Sequence, residues 1–272
     1  MFDPFKDFNA AGYLRNVKKL KDLDAVKRIE HDLFAANLTD ALDYLATKKQ
    51  ISYKDFLTVH GVLFSAIYPW AGQDRLMTTP DIAVSKASVK FCDPSFTEKY
   101  VSYGLEVGQD RLAMNSRFGE VMGLFAYAHP FLDGNGRTML IIHSELCSRA
   151  GFSINWDGAK KSEYLAALSH EIESPKDKVL DKYLAQFKAK KLNRNDWASS
   201  ILSIKGLNGL DNDNKVDGKF SDKDVADKYT EFDKNRGYEI SSYIEFESII
   251  CNKCKVTPCT CSSVNSIKPK RP

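Results

Sequence analysis

Residues His129 to Thr138 read HPFLDGNGRT. An apolar run precedes them, VMGLFAYA over 121–128, and another follows, TMLIIHSEL over 138–146. Both runs read as helices of a buried core, so the segment is a loop held between two of them. Gly134 and Gly136 permit backbone conformations that other residues avoid, and without a Cβ their N–H groups can approach an anion closely. The helix that starts at this loop adds unpaired N–H donors and a partial positive charge. Together these make an anion cradle. Arg137 adds a permanent cation whose forked donors suit phosphate. Asp133 offers a hard oxygen for a phosphate-bound Mg²⁺. His129 can accept a proton near neutral pH. A base, a metal carboxylate and a phosphate cradle are the parts needed to transfer part of a nucleotide to a hydroxyl.

The rest of the chain reads mainly as helix. Apolar positions recur at three- and four-residue intervals over 16–47 and again over 53–67, until Pro69 and Gly72 break the pattern. The stretch 75–92, rich in Thr, Val, Ile and Ser, reads as extended, a short hairpin. Helices are expected over 95–114, 116–128, 137–150, 160–172 and 176–190. After residue 190 the composition turns polar, and Gly206 to Lys228 reads as linker. A calcium loop starting at Asp213 fails, because Lys215 stands where an oxygen ligand belongs. One more helix is expected over 236–250.

The chain has 272 residues, a formal net charge of +3 and 28% charged residues, so nucleic acid is not its expected partner. No stretch approaches the roughly 20 apolar residues of a membrane span, and the N-terminus lacks a secretory pattern. The expected location is the cytoplasm, with export or host delivery left open. Four of the six cysteines cluster as CNKCKVTPCTC, so Cys251, Cys254, Cys259 and Cys261 are candidates for a structural Zn²⁺ site. Reduced, unliganded cysteines are the alternative. A short basic tail, SIKPKRP, follows.

The HPFLDGNGRT segment resembles the signature of the Fic family, His-Pro-Phe-x-(Asp/Glu)-Gly-Asn-(Gly/Lys)-Arg. The resemblance extends upstream to FLTVHGVLFSAIYPWAGQDR, Phe56 to Arg75, and covers residues 10–190. It implies a mainly α-helical Fic fold with a short β-hairpin flap at about 80–92 and a small C-terminal module. It implies a Fic domain over 1–190, a linker-like segment over 191–235, and a C-terminal helix with the cysteine cluster over 236–272. The implied activity is transfer of AMP from ATP, with Mg²⁺, to a hydroxyl of a target protein. A Doc-like kinase, another phospho-group transferase on the same fold, and a non-catalytic binding module are the alternatives.

Carried over position by position, His129 deprotonates the target hydroxyl and Asp133 holds Mg²⁺. Asn135, with the amides of Gly134 and Gly136, grips the α- and β-phosphates, and Arg137 contacts the terminal phosphates. Phe131 anchors the loop in the core. The flap around Ile82–Phe91 pins the target backbone by strand addition. Lys86 faces the nucleotide or is a solvated flap lysine. Tyr164 borders the base or belongs to the core.

Two departures stand out. Many AMP-transferring members carry a second arginine three residues after the first, and here that residue is Leu140. Many members also carry an inhibitory (Ser/Thr)-x-x-x-Glu-(Gly/Asn) motif, yet no glutamate in this chain is followed by Gly or Asn. The chain thus resembles members that lack self-inhibition and rely on a separate antitoxin supplying the glutamate, as in a toxin–antitoxin pair.

Overall fold

In a computed structural model of the chain, which describes residues 1–207, 214–238 and 240, the loop does lie between two buried helices. Helix α1, Leu23–Ala46, starts where the Asp22 side chain accepts the amides of Asp24 and Ala25. Helix α2, Tyr53–Phe64, starts at a capping box in which Ser52 and Asp55 satisfy each other's backbone N–H. The flap follows as strands β1, Ile82–Lys86, and β2, Val89–Lys90. The residues before it, Arg75–Thr78, form a helical turn rather than extended chain, because the Asp74 side chain caps them.

Helices α3, Thr97–Gln109, and α4, Arg111–Ser116, lead into α5, Phe118–Ala128, in which every residue is buried. Helix α6, Asn135–Ala150, leaves the loop and ends at Gly151, whose left-handed conformation stops it. The α5–loop–α6 unit forms the centre of the core. Phe131 is fully buried and stacks on His60 of α2 with ring centroids 3.7 Å apart. Gly119 lets α5 press against the backbone of Asp181, since a Cβ there would lie 2.2 Å from its nitrogen. Strand β3, Phe152–Ile154, helix α7, Lys161–Glu173, and helix α8, Val179–Ala185, follow.

Two further expectations are corrected. The helix expected over 176–190 stops at Ala185, and Lys188–Lys190 forms β4, antiparallel to β3. All three residues are exposed at a sheet edge, with the Lys188 ammonium turned back onto the Asn115 carbonyl and the Phe152 ring, and charged helical surface imitates this pattern. The linker expected over 191–235 is largely structured and belongs to one unit, Met1–Tyr238. It contributes α9, Trp197–Leu202, strand β5, Asn214–Lys219, and α10, Lys223–Arg236. Strand β5 pairs antiparallel with β1, giving a sheet in the order β2-β1-β5. Helix α10 docks through Arg236, whose guanidinium lies 3.4 Å from the Tyr127 ring centroid and donates to the Ile172 carbonyl at 2.6 Å.

The second unit, Glu239–Pro272, lies almost wholly outside the described residues. The zinc candidates Cys251, Cys254, Cys259 and Cys261, the basic tail and most of the helix expected over 236–250 fall there. Among the described residues, Cys92 and Cys147 are buried and unbridged. No helix of the described residues is long and apolar enough to cross a membrane.

Candidate active site

A cavity of about 630 Å³ opens over the start of α6. Its wall holds His129, Asp133, Gly134, Asn135, Gly136 and Arg137 from the loop, Lys86 from the flap and Tyr164 from α7. Every site residue expected from the loop, the flap and α7 is therefore brought to one hollow.

The loop has the conformation an anion cradle needs. Gly134 caps α6 at φ 74°, and a Cβ there would strike the Phe64 ring at 2.6 Å. No side chain caps the helix, so its first amides face the cavity. A Cβ built on Gly136 would meet nothing within 4 Å, which leaves the cradle open for phosphate. Asn135 turns inward instead. Its Oδ1 accepts the Phe131 amide at 2.9 Å and its Nδ2 donates to the Phe131 carbonyl at 2.6 Å. Asn135 thus acts first as the clip that closes the loop.

His129 ends α5 in the left-handed region, at φ 41°, and its ring stacks on Phe91 of the flap at 3.6 Å. Arg75, itself fully buried, fixes this turn. Its Nε donates to the His129 carbonyl at 2.8 Å and its Nη2 to the Cys92 carbonyl at 2.8 Å. The Nε2 of His129 lies 3.2 Å from the Asn135 amide nitrogen and 3.3 Å from that of Asn214. Both neighbours are N–H donors, so Nε2 is the nitrogen that carries the lone pair. Burial, and then the charges of Arg75 and Lys86, hold the imidazole well below its ordinary pKa. A neutral ring on the cavity wall, with Nε2 as its acceptor, can take a proton once a hydroxyl replaces one of these amides.

Beneath the loop lies a buried charge network that sequence reasoning missed. The ammonium of Lys27 on α1 contacts Asp133, and lies 3.1 Å from Glu30. Glu30 in turn contacts the Arg137 guanidinium and receives the Tyr68 hydroxyl. Lys27 is 1% and Glu30 0% exposed, and neither reaches the cavity wall. Arg137 does reach it, and its buried Nη1 has no hydrogen-bond partner among the described residues. A glutamate therefore does meet Arg137, from behind and from a sequence context, Glu30-His31, that matches no inhibitory motif. His60 supports the same loop. Its Nδ1 accepts the Gly72 amide at 3.0 Å, so Nε2–H donates to the Asp133 carbonyl at 3.0 Å.

The expected magnesium role of Asp133 does not fit this arrangement. One carboxylate oxygen accepts the Gly134 amide at 2.7 Å, and the other bears the Lys27 ammonium with the Tyr13 hydroxyl at 3.5 Å. Both oxygens are thus engaged, and a divalent ion would have to compete with the Lys27 ammonium for the carboxylate.

The far wall of the cavity suits a nucleotide base. Trp156 packs edge-to-face on Tyr164 at 5.3 Å, with Leu165, Leu168 and Ile204 nearby on the lining. Trp156 sits in a polar loop and carried no periodic signal. Leu140 lines the cavity where the family pattern often places arginine. Lys86, Lys160, Lys161 and Lys205 line it as well and supply positive charge from other elements.

Residues 50–147 match the family model described as the Fic/DOC family. The chain is 28% identical over 173 residues to the protein adenylyltransferase VbhT of Bartonella schoenbuchensis, a match covering 61% of this chain and 35% of that protein. The chain thus spans only about a third of that relative's length. A similar fold occurs in the BepC effector of Bartonella tribocorum, solved with bound AMPPNP, at a TM-score of 0.53 and 16% identity over 67% of this chain and 95% of that one. The Fic domain of a Bep effector from Bartonella quintana, solved with bound ADP, matches at a TM-score of 0.52 and 18% identity over 69% of this chain and 96% of that one. Over residues 50–147 the chain is thus similar to the Fic/DOC family.

Proposed function

We propose that this protein is a protein adenylyltransferase. The observation that carries the reading is the convergence of three groups on one cavity: a neutral, buried His129, the open amides at Gly136, and the unpartnered Nη1 of Arg137. In this reading ATP lies with its base against the wall formed by Trp156 and Tyr164 and its phosphates over the start of α6. Arg137 and the lining lysines meet the terminal phosphates. The Nε2 of His129 takes the proton of a target Ser, Thr or Tyr hydroxyl. That oxygen bonds the α-phosphorus, the bond from the α-phosphorus to the bridging oxygen breaks, and pyrophosphate leaves with the electron pair. The target segment enters along the β1–β2 flap by strand addition.

No step is routed through magnesium, since the Asp133 carboxylate is engaged by Lys27. Where a metal enters with the nucleotide, it would supply charge neutralisation of the phosphates. A separate antitoxin and a structural zinc at the cysteine cluster are further parts of this reading, the second resting on cysteine spacing alone.

The test is incubation with a cell lysate and ATP labelled at either the α- or the γ-phosphate. Adenylyl transfer leaves the α label on protein and releases the γ label, and His129→Ala abolishes it. Retained γ label would instead show a kinase, and absence of both labels would reject the enzymatic reading.

A further inference from the structure

The flap edge that a target strand would need already has an occupant. Strand β5 pairs with β1 so that Asn214 lies opposite Lys86, Lys215 opposite Ser85 and Val216 opposite Val84. An irregularity then accommodates Asp217 before Gly218 and Lys219 resume the pairing. This register delivers the Asn214 side chain to the catalytic imidazole, its Nδ2 being 3.3 Å from the His129 Nε2. A strand on this edge therefore presents to His129 whichever side chain stands opposite Lys86. In β5 that side chain is an amide, with no hydroxyl to modify.

Strand β5 is fastened at several points. Asp217 accepts the Ser85 hydroxyl and the Tyr229 hydroxyl, each at 2.8 Å. The Phe220 amide donates to the Asp81 carbonyl, and Ser221 donates twice to the Asp81 carboxylate. The burial of β5 also specifies its pattern: Asn214 is buried, Lys215 exposed and Val216 half-buried.

We propose that residues 214–219 are a built-in stand-in for the target, docked on β1 in the target's place. This rests on the adenylyltransferase reading above and refines it. The target is an extended, antiparallel segment with its acceptor hydroxyl at the Asn214 position and a small apolar residue two positions later. It enters by replacing β5, so the protein carries a brake on its target edge, distinct from any glutamate acting on the nucleotide.

Two full-length variants test this with α-labelled ATP. Asn214→Ser puts a hydroxyl beside His129, and it is expected to label itself at residue 214, as located by mass spectrometry. Lys215→Pro removes the ladder donor opposite Ser85, since the Val84 carbonyl on the neighbouring residue faces β2, and it is expected to label lysate proteins roughly tenfold faster than wild type, the factor for an edge that β5 leaves clear about a tenth of the time. Hydrogen exchange at Ile82–Lys86 shows whether the edge has opened. An opened edge with wild-type labelling rate overturns the proposal. So does an unlabelled residue 214 while wild type still labels lysate proteins. If no variant labels anything, the transferase reading fails instead. The docking inference is then read from a peptide spanning residues 211–222 with Ser at 214: it should restore protection to Ile82–Lys86 in Lys215→Pro, and failure to do so overturns the inference.

Discussion

The ammonium of Lys27 lies against the carboxylate of Asp133, two side chains far apart in sequence and both buried. A positive charge thus occupies the carboxylate that the family pattern assigns to a metal. Burial pulls the Lys27 pKa below its ordinary value, while Asp133 pushes it back up. The pair works as an internal ion pair whose two members each need the other.

Replacing Lys27 by Met should therefore create a magnesium site. Without Mg²⁺ the Lys27→Met protein should melt below wild type, because removing one partner of a buried pair costs about 3–5 kcal/mol. Adding Mg²⁺ should restore much of that loss in the variant and change the wild-type melting temperature little. Equal responses of both proteins in a thermal melt would show that Lys27 does not compete with the metal.

Glu30 invites two opposite expectations, and its position decides between them. It is fully buried, lies behind Arg137 and is absent from the cavity wall. Its carboxylate orients the guanidinium and does not fill the phosphate site. Glu30→Gln should weaken ATP binding and slow α-label transfer, with a stability loss on the order of 3 kcal/mol in urea. A faster enzyme would identify Glu30 as an intramolecular inhibitor.

The pH dependence has a definite sign. His129 is held well below the ordinary histidine pKa, chiefly by burial and then by Arg75 and Lys86. A base with a depressed pKa stays neutral as the solution is acidified. The acidic limb of kcat/KM should therefore fall below pH 6.5. Replacing Lys86 by Met removes one of the charges that depress it, and should move that limb upward. A limb that does not move would separate Lys86 from the base.

Stability should follow the other buried histidines. His60 is pushed down to about 3 and His143 to about 4, both by burial. The folded state keeps them neutral, while the unfolded chain protonates them near pH 6.5. Their contribution is complete above pH 6.5 and is lost progressively as pH falls toward their folded values. Urea midpoints should decline between pH 6.5 and 4, and His143→Gln should flatten that decline.

The loop was legible because its chemistry is local. Gly134, Asn135 and Gly136 are adjacent, and two apolar runs announce the helices they join. Lys27 and Glu30 carried no such signal. They sit among the charges of a long amphipathic helix, where lysine and glutamate three apart read as a solvated pair. Only the distant partners Asp133 and Arg137 explain why both are buried. Strand β5 was hidden for a related reason. Its sequence, NKVDGK, has a glycine and alternating charges, as an edge strand exposed on one face does, and its one buried polar side chain is used by His129. Trp156 lies in a turn-rich stretch, where an aromatic residue has no period to betray its role.

Leu140 is the remaining departure, and it can be reversed. It lies on the cavity wall at 6% exposure, one turn along α6 from Gly136 and Arg137. An arginine there would extend toward the terminal phosphates, where a charged contact is worth about 1.5–3 kcal/mol. The lining lysines offer that charge as single ammonium groups without the pre-organised fork of a guanidinium, so they should recover only part of it. Leu140→Arg should tighten binding of ATP roughly tenfold or more and leave AMP binding nearly unchanged, since AMP lacks the phosphates concerned. Calorimetric titration with both nucleotides separates the two. Equal tightening toward ATP and AMP would mean that the new guanidinium meets the α-phosphate or the base. Unchanged ATP affinity would mean that the lysines already satisfy the terminal phosphates and that Leu140 removes nothing from the site.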